Sequence, residues 1–341
     1  MAVNVRDNTN DAFWNEWAKI LNAAIFDADT NKVKYDEIVK KLYNVSKSSK
    51  YAEKSQTFGD LGDFSVKAEG ANAAEDDFQQ GFAKLIQHIS FGKSVLISRE
   101  LKDDNQIAEA IQKVTNIVTA YKRTRAKFGT NAMTLSVGAA TTMSFAGDPS
   151  YDITGADGKA LFNSAHPLKR VSGVTQCNHY SNAFGNNAAL LNELANIMRN
   201  FKNDRGEVMG YTADTIIIPG NAPELEETVK RIIGSDGEVG TNHNDINTQR
   251  GKWKLVVNDL WTPTKAQASD PDPFIIMSSE ANKELMANRF YDRTELDVVT
   301  AIKEESRNLL YNGFGRMSCG FTNWRHVIMG GSVDADAQTL S

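Results

Sequence analysis

Apolar residues fall three and four apart over Phe13, Trp14, Trp17, Ile20, Leu21, Ala24 and Ile25, a spacing that predicts an amphipathic helix. Asn10 or Asp11 would cap it. A second short helix carries Tyr35, Ile38, Val39 and Leu42 and gives way to the polar run Ser46 to Lys50. Two tryptophans on so short a helix need a surface to cover, either their own domain or a neighbouring chain.

The period then changes. Phe58 to Ala68 reads as a strand interrupted by Gly59 and Gly62, and a small, acidic stretch follows from Glu69 to Asp77. From Phe82 to Phe91 the chain alternates, with Phe82, Lys84, Ile86 and His88 on one face and Leu85, Gln87, Ile89 and Phe91 on the other. Two readings stand: a long β-hairpin with an acidic tip that leaves its parent domain, or an ordinary hairpin on a sheet. A ten-residue strand reaches roughly 33 Å, and an isolated ribbon is marginal in water, so a free arm would need another chain beneath it.

The clearest element follows Leu101. Asp103 or Asp104 caps a helix whose apolar stripe is Ile107, Ile111, Val114, Ile117, Val118 and Tyr121, with Gly129 as its end. From Asp104 to Lys127 it would span roughly 36 Å. Lys122, Arg123, Arg125 and Lys127 crowd its last turns, where cations complement the helix dipole. A solvated helix end explains them; contact with nucleic acid or an acidic neighbour is the other reading.

Beyond Phe145 a Gly/Asp/Ser-rich stretch runs to Asn187 as loops with short strands. Helices and strands then alternate. Leu190, Leu191, Leu194, Ile197, Met198 and Phe201 mark a helix. Asp214 to Ile218 is a buried strand stopped by Pro219, and Pro223 to Ile233 is a helix with proline at its start. Strands are predicted over Trp253 to Trp261, Phe274 to Ser278, Asp297 to Ile302, Leu309 to Phe321 and Val327 to Met329, and a polar tail closes the chain. The class is α+β.

Composition narrows the function. The net charge of -5 argues against a protein that coats nucleic acid by neutralising phosphates. No apolar run approaches the roughly 20 residues of a membrane helix. Two cysteines, Cys177 and Cys319, are too few for a disulfide framework, so a reducing cytoplasm is the simplest origin. No nucleotide-binding glycine fingerprint is present. His166, Cys177 and His179 are permissible zinc ligands, but their spacing matches no common site. As nucleophile and base they lack an orienting group and an oxyanion site. The acidic set Glu69, Glu75, Asp76 and Asp77 lacks the ordered spacing of a calcium loop. The expectation is no catalytic residue, no cofactor and no metal.

Several strings carry a resemblance. Asp157-Gly158-Lys159-Ala160-Leu161-Phe162-Asn163-Ser164-Ala165-His166-Pro167 is similar to the DG-x-x-LF-[ST]-x-x-HP stretch of the Mu-type major head subunit family of tailed phages. Glu75 to Gly81, then Phe91-Gly92-Lys93 and Ser98-Arg99-Glu100-Leu101, resemble that family's hairpin return and the start of its long helix. Asn203-Asp204-Arg205-Gly206-Glu207 and Asn244 to Gly251 are similar to further stretches of it. Together they run from about Lys50 to Gly330.

The resemblance implies a Hong Kong 97-like capsid fold, divided as an N-terminal arm (1–50), an extended loop (51–98), a peripheral domain with a spine helix (99–189), an axial domain of mixed α/β structure (190–290), and C-terminal strands with a tail (291–341). It implies a major capsid protein that self-assembles as hexamers and pentamers into an icosahedral shell around double-stranded DNA. The virion is then its location, after assembly in the host cytoplasm. Scaffolding, portal and decoration proteins are implied as partners, and no membrane. The inter-subunit residues would be Phe13, Trp14, Trp17, Ile20 and Leu21 on the arm, and Phe58, Phe64, Lys67, Glu69, Glu75, Asp76, Asp77 and Phe82 on the loop. Ile107, Ile111, Val114, Val118 and Tyr121 would form the spine-helix core. Lys67 finds no matching partner, so no covalent crosslink is expected. The alternative within the same fold is an encapsulin-type compartment shell.

Overall fold

The computed structural model describes the chain except residues 1–2, 8–11, 32–33, 59–63, 71, 74, 76–79, 238–245, 264, 266, 268 and 341. It divides into two compact units: Met1–Glu53, Ile86–Gly129 and Phe290–Cys319 in the first, and Lys54–Leu85, Thr130–Arg289 and Gly320–Ser341 in the second. Residues 130–189, expected with the spine helix, group with the second unit instead.

The first unit is built on two long strands, Asn288–Ile302 and Leu309–Phe321, that neighbour each other in a five-stranded sheet. Strand Ile89–Ile97 runs antiparallel to the second of them, with Ile97 opposite Leu309 and Ile89 opposite Met317. The short strand Asn4–Arg6 adds to Asn288–Ile302 in parallel, and Asn44–Lys47 pairs with the same strand. Inward residues such as Leu296, Val298, Leu309 and Tyr311 are buried, as the period of two requires.

Across this sheet lies the long helix, Ile107–Leu135. Two glycines of Leu309–Phe321 admit it. A Cβ at Gly313 would stand 3.0 Å from Ile117, and one at Gly315 would stand 2.5 Å from Tyr121. The helix begins later and ends later than expected. Asp103 closes a short preceding helix, Arg99–Asp103, capped by the Ser98 hydroxyl, which accepts from the Leu101 amide. Gly129 does not terminate the long helix. It is a contact point, with its missing side chain facing Tyr43 and Phe290 and its carbonyl accepting from the Tyr43 hydroxyl at 2.7 Å.

Helix Asn15–Asn31 buries Trp17, Ala18, Leu21 and Ile25, and helix Lys34–Leu42 buries Ile38, Val39 and Leu42. The expected caps Asn10 and Asp11 lie outside the described residues.

The second unit centres on a four-stranded sheet in the order Lys254–Asn258, Thr215–Pro219, Phe274–Met277, Val327–Gly330. Thr215–Pro219 is parallel to Lys254–Asn258 and antiparallel to Phe274–Met277, which is antiparallel to Val327–Gly330. Three of the four strands are buried at every position, which is why they read in sequence as apolar runs rather than alternations. Helix Ala189–Arg199 buries Leu191, Leu194 and Met198, and helix Pro223–Gly234 buries Leu225, Val229 and Ile232.

Strands Ala52–Phe58 and Gln80–Gln87 pair as a two-stranded ribbon. The first strand therefore lies earlier than expected, and Phe64 to Ala68 are in no regular element. On the second strand the predicted alternation holds, with Lys84 and Ile86 buried and Leu85 and Gln87 exposed.

Candidate functional site

The ribbon and the segment it brackets are the natural place to look for an interaction surface. Between the paired strands, Phe64 and Val66 are fully exposed, at 104% and 102% of the reference area. Lys67, Glu69 and Glu75 beside them are exposed as well. Phe58 closes the first strand; Asp76 and Asp77 lie outside the described residues. Phe82 is partly covered, with the Lys169 ammonium 5.3 Å from its ring centroid. The second strand is fastened near its start: Lys169 donates to the Gly81 carbonyl, and the buried Lys84 ammonium pairs with Asp152 and donates to the Thr154 hydroxyl at 2.8 Å. Burial pushes the Lys84 pKa down.

The N-terminal stripe is a different case. Trp14, Trp17 and Leu21 are buried in their own unit. The Trp14 indole donates to the Arg307 carbonyl at 3.0 Å. Phe13 packs edge-on against Trp14, with the Lys102 ammonium 3.9 Å above its ring. Only Ile20 of the five arm residues is exposed, at 45%. This corrects the expectation for Trp14, Trp17 and Leu21 as inter-subunit contacts: their apolar area is already covered by the chain that carries them. Of the spine residues, Val114, Val118 and Tyr121 are buried and Ile107 and Ile111 partly so.

The basic run at the end of the spine helix divides in two. Arg123 and Lys127 are exposed, but Lys122 and Arg125 are buried. Arg125 donates to Asp292 through Nε and Nη2, at 3.0 and 2.8 Å, and reaches Asp36 at 3.3 Å. Lys122 lies 2.9 Å from Asp29 and 3.3 Å from Asp36. A solvated helix end and a nucleic-acid contact are thus both excluded for these two side chains, which are committed to three carboxylates of the first unit.

His88 marks the junction between the ribbon strand Gln80–Gln87 and the sheet strand Ile89–Ile97. It lies between two hydroxyls, with Ser48 Oγ 3.1 Å from Nε2 and Ser318 Oγ 2.8 Å from Nδ1. Ser48 donates its one proton to Glu53 at 2.7 Å, so Nε2 of His88 is the donor to Ser48 and Nδ1 accepts from Ser318. The ring is neutral in this arrangement. Burial pushes its pKa down, and nearby Arg316 adds to that.

In the second unit the stretch that carried the resemblance closes on itself. His166 is buried, stacked on Trp324 at 4.3 Å, with Nδ1 2.6 Å from Asp157 and Nε2 3.1 Å from Asn178. Asn178 in turn donates to the carbonyls of Leu161 and Val327. The Asn203–Glu207 string is a turn in which Asn203 accepts from the amides of Arg205 and Glu207, and Asp204 pairs with Arg325 at 2.8 Å.

His179 serves elsewhere, with Ser332 2.6 Å from Nε2 and Asp336 3.4 Å from Nδ1. The order serine, histidine, aspartate evokes a nucleophilic triad. Ser332, however, accepts from the Asp334 amide, and Asp336 is engaged by both the hydroxyl and the amide of Ser164, so the row acts as a tie for the C-terminal segment. Cys177 Sγ lies 3.3 Å from the His179 carbonyl, and burial raises its pKa. The structure therefore does not bring His166, Cys177 and His179 together as a ligand set. Among the described residues no cluster of three or more His, Cys, Asp or Glu could hold a metal, and no helix is long and apolar enough to cross a membrane.

No protein-family model matches the chain, and no curated protein matches it. Solved structures do. The capsid of an empty GTA particle aligns with a TM-score of 0.51 at 12% identity, over 86% of this chain and 88% of that one. The capsid of the native GTA particle aligns with the same score at 11% identity and the same coverage. A structure from Gordonia phage Cozz aligns at 0.47 with 12% identity, over 89% of this chain and 86% of that one. The chain has an α+β fold similar to that of the GTA capsid.

Proposed function

We propose that this chain is the shell-building subunit of a tailed-phage head, of the Mu-type major head subunit family. In this reading it self-assembles as hexamers and pentamers into an icosahedral shell around double-stranded DNA. The observation that carries the reading is the near-complete overlap with capsid chains, 86% of this chain on 88% of the other. A fold alone does not give a function; what the site adds is a bracketed loop whose Phe64 and Val66 are fully exposed among the described residues.

In this reading residues 51–98 are the extended loop that meets a neighbour, residues 99–189 the peripheral domain with its spine helix, and residues 190–290 the axial domain. Scaffolding and portal proteins are its assembly partners, and decoration proteins its optional ones. The shell holds by buried interface area rather than by a covalent crosslink, and the work is structural rather than catalytic.

Electron microscopy of the purified chain, alone and with the scaffolding protein encoded beside it, tests this. Closed particles of uniform diameter are expected. A monomer at every concentration under both conditions sinks the proposal. Particles that carry an enzyme cargo rather than nuclease-protected DNA when made in the infected host would move the assignment to an encapsulin-type compartment.

A further inference from the structure

The second unit holds an open pocket of about 430 Å³ that no described residue fills. Its walls are mainly apolar: Leu135 at the end of the spine helix and Val137 beyond it, Trp261 and Pro263 after strand Lys254–Asn258, and Met329 on strand Val327–Gly330, with threonine and serine hydroxyls as a polar minority. Asp334 is the one charged residue among the described residues that line it.

Elsewhere in the same unit, among the described residues, Phe64 and Val66 are apolar side chains with full exposure, followed by the exposed cation Lys67. An aromatic ring with no cover and an apolar hole with no occupant both cost free energy in water. The hole is large enough to take a ring. Lys67 beside the apolar pair and Asp334 at the pocket are opposite in charge, so seating the segment would also pair them.

We infer that the pocket bounded by Trp261, Pro263 and Met329 receives Phe64 of a second copy of this chain, with Lys67 of that copy set against Asp334. The inference rests on the shell reading above and names the site through which one copy would grip the next. The contact is heterologous, a loop of one copy in a pocket of another, with the two surfaces distinct. Such a contact repeats around a ring or through a lattice rather than stopping at a two-fold dimer, which is what hexamers and pentamers require.

The test is trapping across copies during assembly, in a Cys177→Ser background that leaves Cys319 buried. Ser65→Cys, next to the intact Phe64, is made in one preparation and Thr262→Cys, next to Trp261, in another; both positions are exposed. The two are mixed, assembled and oxidised. A reducible adduct of twice the chain mass, formed only in the mixture, is expected. In parallel, Phe64→Ala should raise the concentration needed for assembly by about tenfold, the effect of losing one buried aromatic ring. Shells that form without the mixed adduct overturn the pocket assignment and leave the shell reading standing. Failure of the unsubstituted chain to assemble overturns both.

Discussion

Arg125 and Lys122 set two cations against Asp29, Asp36 and Asp292 in a region with almost no solvent access. Burying charge is costly unless every partner is present, so the five side chains stand or fall together. Arg125→Ala removes the bidentate partner of Asp292 and one partner of Asp36, and leaves two carboxylates buried with reduced compensation. Destabilisation of about 3–5 kcal/mol is expected for such a loss, read as a lower urea midpoint of the unassembled subunit. A variant with an unchanged midpoint would show that water reaches the carboxylates. Arg123, exposed two residues before it, serves as the control whose alanine variant should stay within about 0.5 kcal/mol of the parent.

At the scale of elements, the N-terminal helix is a wall of the first unit. Trp14, Trp17, Leu21 and Ile25 are buried, and Asp29 at its far end completes the charge cluster. A deletion of residues 1–31 therefore removes core, not a detachable arm. The shortened chain should fail to accumulate in soluble form, or give a broad, non-cooperative melt by circular dichroism. A shortened subunit that melts like the parent and only fails to assemble would restore the helix to the role of an inter-subunit arm. The ribbon segment is the opposite case. Its exposed Phe64 and Val66 contribute nothing to the fold of their own chain, so their substitution should spare the melt and change assembly.

For the whole molecule, acid is the expected enemy. Burial takes the His326 pKa down to about 3, and burial also lowers those of His88 and His179. A histidine kept neutral in the fold takes up a proton only on unfolding. Its contribution is therefore complete above the unfolded value near 6.5 and is lost as pH falls through that value. His326 alone accounts for roughly 2 kcal/mol at about pH 5. Glu53, held low chiefly by the Ser48 hydroxyl that donates to it, acts with the same sign at still lower pH. The thermal midpoint of the subunit should fall steadily from about pH 7.5 to about pH 5. A flat profile over that range would mean that the buried rings have proton acceptors or access to water.

How much of this was legible beforehand follows from the range of the forces involved. Local periodicity showed the helices, the buried strand runs and the α+β class, because apolar residues at a period of 3.6 or 2 report which face is covered whatever covers it. The alternation that places Lys84 and Ile86 inward was readable for the same reason. The identity of the cover was not readable. Whether the Trp14 stripe met its own domain or a neighbour, whether Gly129 ended a helix or admitted Tyr43 and Phe290, and whether Lys122 and Arg125 faced solvent all turned on remote partners. Asp36 lies 89 positions from Arg125, and Asp292 lies 167. The Asp157–His166 string was visible as a spacing, but Asn178 and Trp324 decide what it does, by closing a buried network around the ring. Chain-local pattern determined which faces must be hidden; only the tertiary structure decided what hides them, because burial and charge pairing are settled between residues that meet through folding and not through sequence.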